Sequence, residues 1–217
     1  LIDGQRCDKS SRPVKPEQGV ELVAREPYVS RAGRKLAGGL DRFSGLLDEH
    51  ALSVSGAHAI DLGSSTGGFT DCLLQRGASG VIAVDVGYGQ LHPTLRQDER
   101  VVVMERTNAR HLTPEDLPWA PDLLVCDASF ISLRTLLPGP LACMAQSWWG
   151  IVLIKPQFEA GTARMRKFGR GGVIRDDDVR QEVLQEVVLG LEGLGIAVLA
   201  THEAEPKGPK GNTEYVA

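Results

Sequence analysis

Five short apolar runs, separated by stretches able to form helices, constrain what this chain can fold into more than anything else in it. HAIDL (58–62), GVIAVDV (80–86), VVVME (101–105), PDLLVCD (121–127) and GIVLI (150–154) are rich in Val, Ile and Leu and do not alternate with polar residues. Runs of that kind suit strands covered on both faces of a sheet. Helix-compatible segments lie between or after them at 69–76, 91–96 and 132–145. A long helix is expected over 176–194, because DDDVRQE places three carboxylates where the helix dipole favours negative charge. Two last strands are expected at 196–203 and about 213–217. Strands alternating with helices predict βαβ units and an α/β, doubly wound, Rossmann-like, mostly parallel sheet. Upstream, Ser30 is the expected N-cap of a helix carrying Leu36, Leu40, Phe43, Leu46 and Leu47 and running to about Glu49. Residues 1–27 read as small strands, with Leu1, Ile2, Val20 and Leu22 apolar, joined by a polar loop.

At 217 residues and 42% hydrophobic, the chain can bury one substantial core. It contains neither an apolar stretch of membrane-spanning length nor the layout of a secretory signal at Leu1, so a cytoplasmic protein without membrane contact is expected. Cys7, Cys72, Cys126 and Cys143 are far apart and form no metal-ligand spacing; buried free thiols and no metal are expected. The net charge of −4 hides two basic clusters. Lys155, Arg164, Arg166, Lys167, Arg170 and Arg175 face only Glu159 between 155 and 175, and Arg31, Arg34 and Lys35 stand together without an acid. Either cluster can be a solvated face or a surface for a polyanion. The stretch 159–175 is expected to be a mobile loop facing RNA, with Arg31, Arg34, Arg164, Arg166, Lys167 and Arg170 as contacts.

The first strand runs into DLGSSTGGFTD, beginning at Asp61. A phosphate-binding loop would place lysine where Phe69 stands, and a dinucleotide fingerprint would place glycine where Ser65 stands. The wider pattern fits better: Asp61 at the strand end, then the glycines, then Asp85 after the next strand, 22 residues beyond Gly63. That spacing suits a carboxylate receiving the hydroxyls of an adenosine ribose. An adenosine without phosphates requires no lysine, so S-adenosyl-L-methionine is the best fit, although an aspartate at a strand end also serves simply to cap a turn. Asp127 and Lys155 each end a strand and should meet at the ligand edge of the sheet. A partly desolvated lysine near a second cation, here Lys35, loses its proton more easily, and Glu214 is a candidate to hold the pair. A surface salt-bridge network is the competing explanation.

DLGSSTGGFTDCLLQRGA, DVGYGQL, ERTNAR, DASFISL, KPQFE and GNTEY occur in order, and together they resemble the TlyA (haemolysin A-like) family of FtsJ-like ribosomal RNA 2′-O-methyltransferases, from about residue 28 to the end. The resemblance implies a seven-stranded methyltransferase sheet with an antiparallel final strand, and a catalytic tetrad of Lys35, Asp127, Lys155 and Glu214 with Lys155 as base. It implies cofactor contacts at Asp61, Gly63, Ser64, Thr66, Gly67, Asp85, Asn108 and Asp127, with S-adenosyl-L-homocysteine as product. The substrate it implies is a cytidine of 16S or 23S ribosomal RNA, free or in ribosomal subunits. Phe130 would pack on the cofactor, on a flipped base or in the core. LIDGQRCDKSSRPVKPEQGVELV is similar to the second half of an S4-type RNA-binding domain, so residues 1–27 are expected to be part of a larger unit and 28–217 the catalytic domain. Two rivals stand beside this: a non-catalytic ribosome-assembly protein on the same fold, and a membrane-lytic protein, which would need an apolar span or a basic amphipathic helix not found here.

Overall fold

The computed structural model describes residues 2–5, 7, 12–21 and 26–217; Leu1 and Leu22 of the expected N-terminal strands lie outside them. Ile2 bridges to Gln5 and to Val20, and Asp3 accepts hydrogen bonds from Gly19 and Gln18.

Helices α1 (Ala32–Arg42) and α2 (Ser44–Glu49) precede β1 (His58–Leu62), α3 (Gly68–Gln75), β2 (Gly80–Val84), α4 (Pro93–Arg96) and β3 (Val101–Met104). Then come β4 (Leu123–Cys126), α5 (Leu133–Leu136), α6 (Pro138–Ala142), β5 (Trp149–Ile154), α7 (Pro156–Glu159) and α8 (Gly161–Phe168). The chain closes with a hairpin of β6 (Gly169–Arg170) and β7 (Val173–Ile174), α9 (Asp177–Glu192), β8 (His202–Glu203) and β9 (Tyr215–Val216). The seven-stranded sheet runs β3-β2-β1-β4-β5-β9-β8, parallel through β5, with β9 antiparallel to both its neighbours.

Apolar runs become two-sided strands because successive side chains enter different cores. Ala59, Leu123, Val125, Ile151 and Leu153 pack with Leu36, Leu40, Phe69 and Leu73 of α1 and α3. Ile60, Leu62, Leu124, Cys126 and Ile154 pack with Leu133, Leu136, Val183 and Val187 of α5 and α9. The expected long helix forms as α9, with Asp176 just outside it as the cap, its carboxylate accepting from Val179 N at 3.2 Å.

Several expectations are corrected. Ser30 is not a cap: α1 follows Arg31 with no side-chain cap, and the Ser30 hydroxyl lies where a Cβ on Gly68 would come within 2.3 Å, against the glycine turn. Phe43 divides that helix in two. Pro138 and Pro140 leave the 132–145 segment as two short pieces, since each removes a backbone donor. The strand expected at 196–203 forms only at His202–Glu203, because β9 offers a partner only over Tyr215–Val216. The stretch 159–175 is a helix and a hairpin, not an irregular loop.

Cys72, Cys126 and Cys143 are buried, whereas Cys7 is half-buried. Burial pushes the Cys72 thiol up to about 11 and the Cys126 thiol to about 12, so both are poor nucleophiles. Among the described residues no helix is long and apolar enough to cross a membrane, and no group of ligating side chains is placed to hold a metal.

Candidate active site

Four neighbouring strands deliver their carboxyl ends to one edge of the sheet, and each brings a charged residue. Asp85 follows β2, Asp61 lies near the end of β1, Asp127 follows β4 and Lys155 follows β5. A cavity of about 540 Å³ opens there, a size suited to a nucleoside-like ligand. Lys35, Asp61, Gly63, Ser64, Thr66, Asp127, Lys155 and Glu214 all line it.

The glycine turn forms the near wall. Gly63 has φ +79° and a Cβ there would fall 2.8 Å from the Ala128 backbone, so strand-end loops pass at glycine distance. Gly67, at φ +96°, precedes α3, and a Cβ on it would strike Leu95. Asp61 is fully buried; its Oδ2 accepts from Thr70 N at 2.9 Å and Thr70 Oγ1 at 2.7 Å, while its Oδ1 has no hydrogen-bond partner. Burial pushes Asp61 up to about 7, opposed by Thr70 and reinforced by the charges of Asp127 and Asp85. Asp85 accepts from Ser65 N at 2.8 Å and from Gly87 N at 2.7 Å, which fixes it beside the turn. Three carboxylates converging with an orphaned oxygen suit a ligand that brings positive charge.

The far wall holds two ion pairs. Lys35 of α1 meets Glu214, just before β9, at 2.5 Å, and both are buried. Lys155 Nζ lies 2.7 Å from Asp127 Oδ1 and donates to Asp127 O at 2.9 Å and Ser129 Oγ at 3.0 Å. Asp127 Oδ1, buried against Lys155 Nζ, accepts no hydrogen bond of good angle. The immediate neighbour of Lys155 is therefore a carboxylate; the expected second cation, Lys35, is held by Glu214 instead. Phe130 is 90% exposed at φ +65°, its ring 4.8 Å from that of Phe158. Core packing is thus excluded for it; it lines the cavity with a left-handed backbone, next to Phe158.

Other expected residues fall outside the cavity. Gly67 and Asp85 adjoin the lining residues Thr66 and Ser65, Asp85 through its bond from Ser65 N, and Asn108 accepts from Arg110 N, 3.2 Å away. Of the expected RNA contacts only Arg31 lines the cavity. Arg34 pairs with Glu26 at 2.5 Å and Arg164 with Glu186 at 2.8 Å, while Arg166, Lys167 and Arg170 are exposed on α8 and β6. Sequence reasoning missed Ser129, Gln157, Lys207, Lys210 and Asn212, all of which line the cavity. Ser129 and Gln157 sit inside motifs already singled out, and PKGPKGN has two lysines in a Pro/Gly-rich turn, a signal that went unused.

Comparison with known proteins places these features in context. The profile of the FtsJ-like methyltransferase family matches residues 28–217. The chain is 42% identical over 216 residues to the 16S/23S rRNA (cytidine-2'-O)-methyltransferase TlyA of Mycobacterium tuberculosis, covering 99% of this chain and 77% of that protein. Among solved structures, a Lactococcus lactis protein carrying the name hemolysin superposes with a TM-score of 0.80 at 40% identity, covering 88% of each chain. A Streptococcus thermophilus protein of the same description gives 0.81 at 39% identity, covering 89% of this chain and 66% of that one.

Proposed function

The chain belongs to the FtsJ-like methyltransferase family, and on that premise we propose that it moves a methyl group from S-adenosyl-L-methionine to the ribose 2′-OH of a cytidine in 16S and/or 23S ribosomal RNA, releasing S-adenosyl-L-homocysteine. The observation that carries this reading is the meeting of Lys35, Asp127, Lys155 and Glu214 in one cavity that Asp61, with a buried and unpartnered carboxylate oxygen, also lines. The name of the mycobacterial relative supports the choice of RNA and nucleoside. Cytoplasmic ribosomes or their subunits are then the partner, and residues 1–27 belong to an S4-type RNA-binding unit.

Asp61 and Asp127 would receive the cofactor's ammonium group, with Gly63, Ser64, Thr66 and Gly67 shaping the turn around its amino-acid end. Asp85 would take the ribose hydroxyls and Asn108 the adenine edge. Bound there, the cofactor supplies a sulfonium methyl group, reactive enough to need no further activation. What the chain must supply is a better nucleophile, because an alcohol attacks poorly until its proton leaves. Lys155 is the base: its amine is fixed at the end of β5 by Asp127 and Ser129, and when neutral it exchanges one of those contacts for the 2′-OH and takes its proton. Lys35 and Glu214 form the second ion pair of the same wall. Phe130 offers a ring face to a base or to the adenine.

Tritium transfer from the cofactor's methyl group to ribosomal subunits lacking the modification tests this. The unsubstituted chain should label the RNA, and Lys155→Ala should lower the rate by about 10²–10⁴-fold while cofactor affinity stays within about twofold. Full activity in Lys155→Ala would remove it as the base.

A further inference from the structure

Charge in the cavity is layered. At depth the charges are paired, Lys35 with Glu214 and Lys155 with Asp127, which leaves the buried Asp61 carboxyl without a cation, whereas Arg31, Lys207 and Lys210 line the same cavity from exposed positions. Among the described residues none of these three has a carboxylate partner, unlike Arg34 and Arg164, which are spent on Glu26 and Glu186. One carboxyl without a cation at depth suits a small positively charged ligand, and an exposed basic rim suits a polyanion.

The two lysines are held by a braced loop. Gly208 N donates to Asn212 O at 2.9 Å, Gly211 N to Gly208 O at 2.8 Å, and Ala204 N to Glu214 O at 2.8 Å. Asn212 Nδ2 reaches Gly172 O at 3.1 Å and Lys210 Nζ reaches Gly171 O at 3.4 Å, which buttons the loop to the turn between β6 and β7. Pro206 and Pro209 line the cavity beside the lysines and restrict the backbone further. The same loop ends in Glu214, the partner of Lys35, so the rim lysines and the catalytic wall are parts of one rigid piece. Pre-positioned cations of this kind lose little freedom on binding.

We propose that Lys207 and Lys210, with Arg31 opposite, clamp the phosphates flanking the target nucleotide of a single-stranded RNA segment. This rests on the methyl-transfer reading: a ribose that reaches Lys155 must leave its own phosphates near the rim. Lysine contributes a point charge and reads no base, so the clamp sets affinity and register while sequence selection lies elsewhere.

The test is fluorescence anisotropy of the chain with a labelled RNA hairpin bearing a cytidine-containing loop, across a series of potassium chloride concentrations. For Lys207→Ala/Lys210→Ala, the slope of log affinity against log salt should become shallower by about 1.4, two contacts at about 0.7 each on a single strand. Cofactor affinity measured without RNA should not move, and Lys207→Arg/Lys210→Arg should restore the slope. An unchanged slope in the alanine variant overturns the inference, as does an equal loss of binding to polyglutamate, which would make the rim a general polyanion surface. If the slope falls as expected but the unsubstituted chain methylates no RNA, the clamp stands and the methyl-transfer reading fails.

Discussion

Asp61 concentrates the chemistry of the site in one carboxyl group. Its ordinary value of 3.8 is raised to about 7 because it is fully buried among Asp127 and Asp85 with only Thr70 to satisfy it. Between those two values the folded state holds the proton and the unfolded state does not, so Asp61 makes the fold lose stability as pH rises from about 4 towards 7, with no further loss above. A cationic ligand on Oδ1 favours the carboxylate, so binding releases a proton when the pH is below about 7. Cofactor affinity should therefore strengthen from pH 6 to 8, an increase that Asp61→Asn should abolish; calorimetry in buffers of different ionisation enthalpy measures the released proton directly. A pH-independent affinity in the unsubstituted chain would take Asp61 out of the ligand's contact. At this scale the sequence was informative where spacing carries geometry, as for Asp61 and Asp85. It named Glu214 as a candidate to hold both lysines, but it could not say that Glu214 pairs with Lys35, 179 residues away, while Lys155 takes Asp127 instead.

At the scale of elements, the glycine turn between β1 and α3 decides whether a ligand can approach the backbone. Gly63→Ala should cost about 1–2 kcal/mol for the left-handed backbone alone, and more for the 2.8 Å approach to Ala128. Thermal unfolding and cofactor affinity should both suffer; a variant with unaltered melting temperature and affinity would show that the loop after β4 can yield. The five parallel strands were legible because both faces of the sheet are buried, which leaves unbroken apolar runs. Less legible were elements defined by tertiary partners. Strand β8 depends on β9, which offers few residues, and α8 with its hairpin is polar enough to pass for a loop. Prolines at 138 and 140 were visible, yet their power to split a helix was underweighted.

Across the whole molecule, the Lys35–Glu214 pair joins α1 to the segment entering β9. Removing one partner of a buried pair leaves an uncompensated charge, at a cost of about 3–5 kcal/mol. Glu214→Gln and Lys35→Met should each lower stability in chemical denaturation, and the double variant should recover much of the loss. Additive losses would show that the pair is not coupled in the folded chain. The pair also ties the site to the sheet's far side: Asp127 and Lys155 follow β4 and β5, whereas Glu214 immediately precedes β9, which pairs with β5. If this cavity methylates a ribose hydroxyl, digestion of ribosomal RNA to nucleosides after incubation with the chain and tritium-labelled cofactor locates the methyl group. Label should reside in 2′-O-methylcytidine and be missing with Lys155→Ala; label on a base, or no label with the unsubstituted chain, would contradict ribose methylation.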